Sequence, residues 1–533
     1  MPTVRAESYT VLRGLGLTRM FANPGSTEID FLAQLPTDIE FVLGLHEASV
    51  VGMATGHALA SGSPALAVLH TTAGFGNAIG ALATARDNGA PLVVIVGQQD
   101  RRHLAANPFL TGRLEGLAGA YPVWFCIPAR AEDVPGAIHR AWHEATHGRG
   151  PAVVVVPMDD WHAEMGNVTH AAPGRVIRGA RVDERSVALL ADMVNEAESP
   201  CLVVGAAADT DQCWQALVAL AERITCPVYQ EAFGARAGFP QDHPGFAGHL
   251  PADRPALRTA LAAHDLVLSV GAPLFRQYAY SNGPFVADRT RLALVTDRAE
   301  DAHCSPAELV LLGDPAHAVA TLVPLVQARH RADPVVPAPL AGPVPRAGHP
   351  LLPAHVLAAL GLALPPDAVV VEETPSSRPS LHALVPARAN LGFLSAAMGG
   401  LGFALPASVG VRMANPDRPV VAVLGDGSSL YSIQALWSAV HYKVGVLVIV
   451  LVNGRYAIMD RLAERAGALE PPWPAFAEID VAALAHGFGC AARTVRTLAE
   501  LNHAFDELLP TLKDMTAPLV LDIHVGPDTE YAA

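Results

Sequence analysis

An aspartate set between two glycines, in Gly425-Asp426-Gly427-Ser428, closes the apolar run Val420–Leu424. Asn453-Gly454 closes the next apolar run, Val444–Val452. Asp426 and Asn453 are 27 positions apart, a spacing that suits two adjacent parallel strands joined by a helix, with both residues at the strands' carboxyl ends. There a carboxylate and an amide oxygen can hold a hard cation such as Mg²⁺ or Ca²⁺. The cation can in turn hold a diphosphate whose other oxygens face the N-terminus of the helix opening near Ser428. Gly-Asp-Gly alone also reads as a tight strand-to-helix turn with a capping Asp. The whole strand–GDGS–helix–strand–Asn-Gly arrangement is the more specific signal.

Other chemistry-bearing residues lie towards the N-terminus. Glu47 begins the unusually apolar stretch Glu47–Ala54 just after a strand, and by its position complements a helix dipole. Ser26 closes the turn Asn23-Pro24-Gly25-Ser26, and His70 follows the apolar run Ala65–Leu69. Taken singly, the serine is a turn residue and the histidine a satisfied core residue.

The elements that must position these groups fall into three α/β segments, expected as domains at 1–178, 183–330 and 352–533. In the first, strands are expected at Met20–Ala22, Phe41–Leu43, Ala65–Leu69, Leu92–Val96 and Ala152–Val156, with helices between them. Alternation of this kind predicts an open parallel sheet covered on both faces. The second segment offers strands at Pro200–Val204, Val228–Gln230, Leu266–Val270 and Arg291–Val295. Gly205 and Gly271 follow two of them, as in nucleotide-type folds, but no GxGxxG accompanies either, so an NAD or FAD site is poorly supported. The proline-rich stretch from Asp333 to Pro350 predicts an extended, semi-rigid connector. The third segment repeats the alternation, without a residue-level repeat of the first.

Bulk properties narrow the function class. A chain of 533 residues exceeds a single core. A formal charge of −15 without a basic cluster argues against nucleic-acid or anionic-membrane partners. Six scattered cysteines show no metal-binding spacing and suit a reducing cytoplasm. No signal-like N-terminus and no membrane-length apolar run stands out.

Several motifs occur together and in order: Asn23-Pro24-Gly25-Ser26, His46-Glu47-Ala48, the stretch from Leu69 to Ala78, Gly97-Gln98-Gln99, Gly271-Ala272-Pro273-Leu274-Phe275-Arg276, Gly399–Pro406 and the GDGS site. This set resembles the thiamine diphosphate enzymes, in the branch of benzoylformate decarboxylase, over essentially the whole chain. The resemblance implies pyrimidine-binding, middle and diphosphate-binding domains, and a cofactor of thiamine diphosphate with Mg²⁺ (or Ca²⁺). It implies that Asp426, Asn453 and the carbonyl of Arg455 hold the metal. Gly425, Gly427, Ser428, Tyr431, Tyr456 and the Ser376-Ser377 turn would contact the cofactor. Leu401 would bend the thiamine, and the carbonyl of Gly399 would accept from its amino group. Glu47 would hydrogen-bond the aminopyrimidine from a neighbouring subunit and favour the imino tautomer that removes the thiazolium proton. Ser26 would bind the substrate carboxylate or carbonyl, and His70 would polarise the keto oxygen and shuttle protons.

One departure concerns the middle domain, where the relatives carry a second active-site histidine. Tyr278 stands there, a much poorer acid–base group at neutral pH. Ile458, Met459 and Leu462 would line the pocket, with Ser395 where the relatives have Phe, and His103, Phe109 and Leu110 near the same cavity. The implied reaction is non-oxidative decarboxylation of an aromatic or apolar 2-oxo acid to an aldehyde. Two alternatives stand beside it: a carboligase or lyase acting on 2-hydroxyketones, and a catalytically silent cofactor-binding paralogue. The implied assembly is a homo-oligomer, a dimer of dimers, with a small 2-oxo acid or aldehyde as its ligand.

Overall fold

Strands that are apolar at every position, rather than every second one, must be covered on both faces. The computed structural model describes residues 1–166, 181–329, 342–343, 349–468 and 470–526. Among them, eighteen strands form three six-stranded parallel sheets. The first contains β1 (Arg19–Asn23), β2 (Glu40–Leu43), β3 (Ala65–Leu69), β4 (Leu92–Gln98), β5 (Trp124–Cys126) and β6 (Pro151–Pro157), in the order β2-β1-β3-β4-β6-β5. The second contains β7 (Pro200–Val204), β8 (Val228–Gln230), β9 (Phe246–His249), β10 (Leu266–Val270), β11 (Arg291–Thr296) and β12 (Leu309–Leu312), in the order β12-β11-β10-β7-β8-β9. The third contains β13 (Val369–Glu373), β14 (Phe393–Ser395), β15 (Val420–Gly425), β16 (Leu447–Val452), β17 (Ala491–Val495) and β18 (Leu519–His524), in the order β14-β13-β15-β16-β18-β17.

Counted from their own first strands, the first and third sheets have the same order, 2-1-3-4-6-5. The two segments are thus a structural repeat that their residues do not reveal. The middle sheet, counted in the same way, is 3-2-1-4-5-6, the doubly wound nucleotide-type order. Gly205 and Gly271 follow β7 and β10, the two strands on either side of its reversal point.

The expected strands are present, most of them a residue or two longer. In the first two sheets, three strands lie outside the expected set: β5, β9 and β12, all edge strands. Edge strands are short and half solvated, and these are partly exposed over only three or four residues, so even the apolar runs Trp124–Cys126 and Leu309–Leu312 are too short to stand out. The proline-rich connector from Asp333 to Pro350 falls mostly outside the described residues, as do the expected domain ends at 178 and 330.

The apolar character of helix Glu47–Ser61 has a packing cause. One side of it covers the first sheet. The other lies against helix Ala404–Ala414 of the third domain, and Val50, Val51, Ala54, Leu405 and Val409 join one buried cluster. A helix buried all round has no polar face to show. The two backbones touch at glycines: a Cβ on Gly56 would lie 2.1 Å from the carbonyl oxygen of Ala407, and one on Gly410 only 1.9 Å from that of Met53. These helices follow β2 and β14, equivalent strands of the repeat. The repeat therefore pairs its two halves through the same element.

Candidate active site

Open parallel sheets gather functional groups at their carboxyl ends, and both outer sheets do so here. At the end of the first sheet, β1 runs into the short 3₁₀ turn Ser26–Glu28, β2 into the helix opening with Glu47, and β3 into His70. Glu47 is buried, yet both its oxygens are used. Oε1 accepts from Asn23 Nδ2 at 3.0 Å and Oε2 from Asn77 Nδ2 at 3.1 Å. Two amides hold the carboxylate on the first turn of its helix, whose cap is the side chain of His46, accepting from Ala48 N.

His70 is positioned by Glu28, a residue of the 3₁₀ turn that lies outside the expected site set. Its Nδ1 lies 3.1 Å from Glu28 Oε2 and 3.0 Å from Thr27 Oγ1. Glu28 also accepts from the backbone N–H of Gly25 at 2.8 Å and from the Thr27 hydroxyl at 2.5 Å. With the hydroxyl proton committed to Glu28, both groups facing Nδ1 act as acceptors. The network therefore assigns the ring proton to Nδ1 and leaves Nε2 as the open nitrogen. A Cβ on Gly25 would overlap the His70 ring at 2.3 Å, so only glycine allows this approach. Ser26 heads the same turn and is exposed. The signal in the sequence was the Glu three residues after Gly25, the spacing of a capping pair.

At the end of the third sheet, β15 and β16 are parallel neighbours, with Gly425 opposite Leu451. Asp426 is buried; its Oδ1 accepts from Gly427 N at 2.8 Å, and its Oδ2 from Asn453 N at 2.9 Å and Gly454 N at 2.6 Å. Asn453 Oδ1 faces the N–H of Arg455 at 3.1 Å. Burial pushes the Asp426 carboxyl above its ordinary range, and the three backbone N–H groups oppose that shift. A buried carboxylate beside an amide oxygen is an oxygen donor set suited to a hard cation, which would also offset the desolvation of the charge.

Surrounding residues shape the same end. A Cβ on Gly427 would meet the Tyr456 ring at 2.6 Å. Ser376 Oγ accepts from Ile458 N at 3.0 Å, and the buried Ser377 immediately precedes helix Arg378–Leu384. Ser428 is buried, whereas Tyr431 and Leu401 are 53% and 36% exposed. Gly399 takes a positive φ of 71° at the start of the loop that carries Leu401. That loop is tied by another residue the sequence did not flag. Glu373, at the end of β13, accepts from Gly402, Phe403 and Ala404 N–H at 2.7, 2.8 and 2.7 Å. Burial raises the Glu373 carboxyl to about 7 against the pull of those donors.

The structure thus gathers Ser26, Glu47 and His70 at one sheet end, and Gly425, Asp426, Gly427, Ser428, Asn453 and Tyr456 at the other. Tyr278 belongs to the middle domain, where it is 70% exposed.

Comparison with known proteins agrees with this architecture. Family models for the N-terminal, central and C-terminal domains of thiamine pyrophosphate enzymes match residues 3–116, 187–322 and 379–523. Benzoylformate decarboxylase of Pseudomonas aeruginosa is 37% identical over 516 residues, 96% of this chain and 97% of the relative. A putative acetolactate synthase large subunit of Mycobacterium tuberculosis is 28% identical over 94% of this chain and 96% of its own length. Among solved structures, benzoylformate decarboxylase from Polynucleobacter necessarius superposes with a TM-score of 0.93 at 32% identity. The thiamine diphosphate-dependent 4-hydroxybenzoylformate decarboxylase of Rhodococcus jostii RHA1 does so with 0.91 at 34%. Both structures cover the whole of this chain and are themselves fully covered.

Proposed function

Because the chain belongs to the thiamine pyrophosphate enzyme family, we propose that it is a 2-oxo acid decarboxylase, converting an aromatic, benzoylformate-like 2-oxo acid to an aldehyde without oxidation. The observation that carries the reading is full-length similarity to benzoylformate decarboxylases, combined with a histidine whose open nitrogen is set by a buried carboxylate.

The cofactor is thiamine diphosphate, which when bound supplies the electron sink for loss of carbon dioxide. Asp426, Asn453 and the Arg455 carbonyl would hold its diphosphate through Mg²⁺. Ser376, Ser377, Gly425, Gly427, Ser428, Tyr431 and Tyr456 would surround it. Glu47, fixed by Asn23 and Asn77, would hold a proton against the aminopyrimidine nitrogen. Leu401 and the Gly399 carbonyl would shape the ring's seat, and Glu373 would keep their loop in place. His70 would present Nε2 to the keto oxygen, polarising it and moving a proton there. Ser26 would orient the substrate carboxylate. Tyr278 would orient the substrate through its hydroxyl.

The exposure of Leu401 and Tyr431 in a single chain supports a site completed by a second copy, within a dimer of dimers. Three domains at 1–178, 183–330 and 352–533, and a cytoplasmic location, belong to the same proposal. Among the described residues no helix is long and apolar enough to cross a membrane.

The test is to incubate the purified protein with thiamine diphosphate, Mg²⁺ and a panel of 2-oxo acids, following carbon dioxide, aldehyde and hydroxyketone. Benzoylformate-type acids should release carbon dioxide and free aldehyde in equal amounts. A hydroxyketone as the main product would replace this reading with a carboligase. No turnover of any acid would replace it with a silent paralogue.

A further inference from the structure

Helix Val134–Gly148 carries three histidines at four-residue intervals, His139, His143 and His147. Side chains so spaced lie one above the other on a helix, so the rings form a row. The buried stripe of the same helix, including Val134, Ile138 and Ala141, packs on the face of the first sheet that carries Val93, Ile95 and Val154. Helix Glu47–Ser61 covers the other face, against Val94, Val96 and Val155. The histidine row is therefore separated from Glu47 by the thickness of the sheet. Its residues are half-buried, within reach of ions from solvent.

His139 and His143 set Nε2 against Nε2 at 3.1 Å, with ring centres 4.8 Å apart. A straight N–H···N bond would place the rings end to end and their centres farther apart than this. The bond between the two rings is therefore bent. Two nitrogens each about 2.1 Å from one ion, the metal–nitrogen distance of an imidazole complex, and roughly 95° apart about it would be separated by the 3.1 Å seen here. That angle suits two neighbouring positions in a tetragonal or octahedral complex.

We propose that His139 and His143 form a two-imidazole chelate for a first-row divalent cation of the Cu²⁺ or Ni²⁺ type. Imidazole nitrogens select such metals, whereas Mg²⁺ prefers the oxygen ligands at Asp426. The bound ion replaces the proton that the two rings now share. Among the described residues, no group of three or more His, Cys, Asp or Glu side chains could hold a metal ion, so water completes the coordination. His147 does not join: its ring lies nearly parallel to that of His143, with centres 6.1 Å apart. An ion held by two side chains exchanges readily, unlike a closed structural site with four protein ligands.

The test uses tag-free protein saturated with thiamine diphosphate and Mg²⁺, titrated with Cu²⁺ and followed by electron paramagnetic resonance. The expected spectrum shows one copper per chain with the hyperfine pattern of two nitrogen ligands. That pattern should be lost in His139→Gln and in His143→Gln and kept in His147→Gln. A wild-type spectrum without a two-nitrogen copper would overturn the proposal. So would an unchanged pattern in folded His143→Gln.

Discussion

At the scale of single residues, Glu28 decides what His70 can do. A histidine offers either nitrogen, and the buried carboxylate settles which one keeps the proton. In Glu28→Gln the amide still fills the space but supplies one oxygen where the carboxylate supplied two. We expect kcat to fall about 10–100-fold with cofactor affinity unchanged, against about 10²–10⁴-fold for His70→Ala, the usual contribution of an acid–base group. Steady-state rates at saturating thiamine diphosphate check the order; a Glu28→Gln rate equal to wild type would remove Glu28 from the relay. Asp426 makes a different prediction. Removal of divalent metal should release the cofactor and abolish turnover, and Mg²⁺ should restore both in the wild type but not in Asp426→Ala. Equilibrium dialysis of thiamine diphosphate, with and without chelator, measures this directly. Glu47, His70 and Asp426 could be picked from the sequence because each lies at a strand end within a motif shared with the family. Local spacing marks Glu28 only as a capping residue and leaves Glu373 unmarked, since their importance comes from partners distant in the chain, His70 for one and the Gly402–Ala404 loop for the other.

At the scale of elements, the contact between helices Glu47–Ser61 and Ala404–Ala414 joins the first and third domains. A methyl group on Gly410 would sit 1.9 Å from a backbone carbonyl of the facing helix, and backbone cannot rotate away as a side chain can. Gly410→Ala should therefore cost about 1–3 kcal/mol, the usual range for overpacking. It should lower the melting temperature although alanine is the better helix former. Thermal unfolding followed by circular dichroism tests it; an unchanged or raised melting temperature would mean that the helices can part freely. The apolar sequence after Glu47 announced a buried helix. It did not announce which helix covers it, because any apolar face of suitable shape would satisfy the same pattern.

At the scale of the whole molecule, the middle and third domains meet at a stacked pair of half-buried imidazoles. His249 and His382 lie 3.9 Å apart and nearly parallel. Burial holds both neutral, pushing His382 down to about 3 and His249 well below its ordinary value. Between pH 6.5 and 3 the unfolded chain binds protons that the folded chain refuses. Stability from this source is thus complete above pH 6.5 and is lost as pH falls towards 3. His382→Phe keeps an aromatic ring in the stack and removes one titrating group. Relative to wild type, its melting temperature should improve progressively from pH 7 to pH 4. A constant difference over that range would show that the pair does not govern acid sensitivity.

The amino-acid sequence by itself determined the fold class, the cofactor and the main strands. Strand-length apolar runs bounded by turn residues suit strands of covered parallel sheets, and motifs at strand ends fall where such sheets place ligands. The tertiary structure alone decided the rest. Edge strands β5, β9 and β12 are half solvated and only three or four residues long, too short for their apolar residues to stand out. The repeat between the outer domains lies in strand order, to which many unrelated residues can be fitted. The tautomer of His70, the tie from Glu373 to the Leu401 loop and the close approach of His139 to His143 depend on distances of about 3 Å between groups. Only the folded backbone brings such groups together, because a hydrogen bond is set by geometry and not by residue type alone.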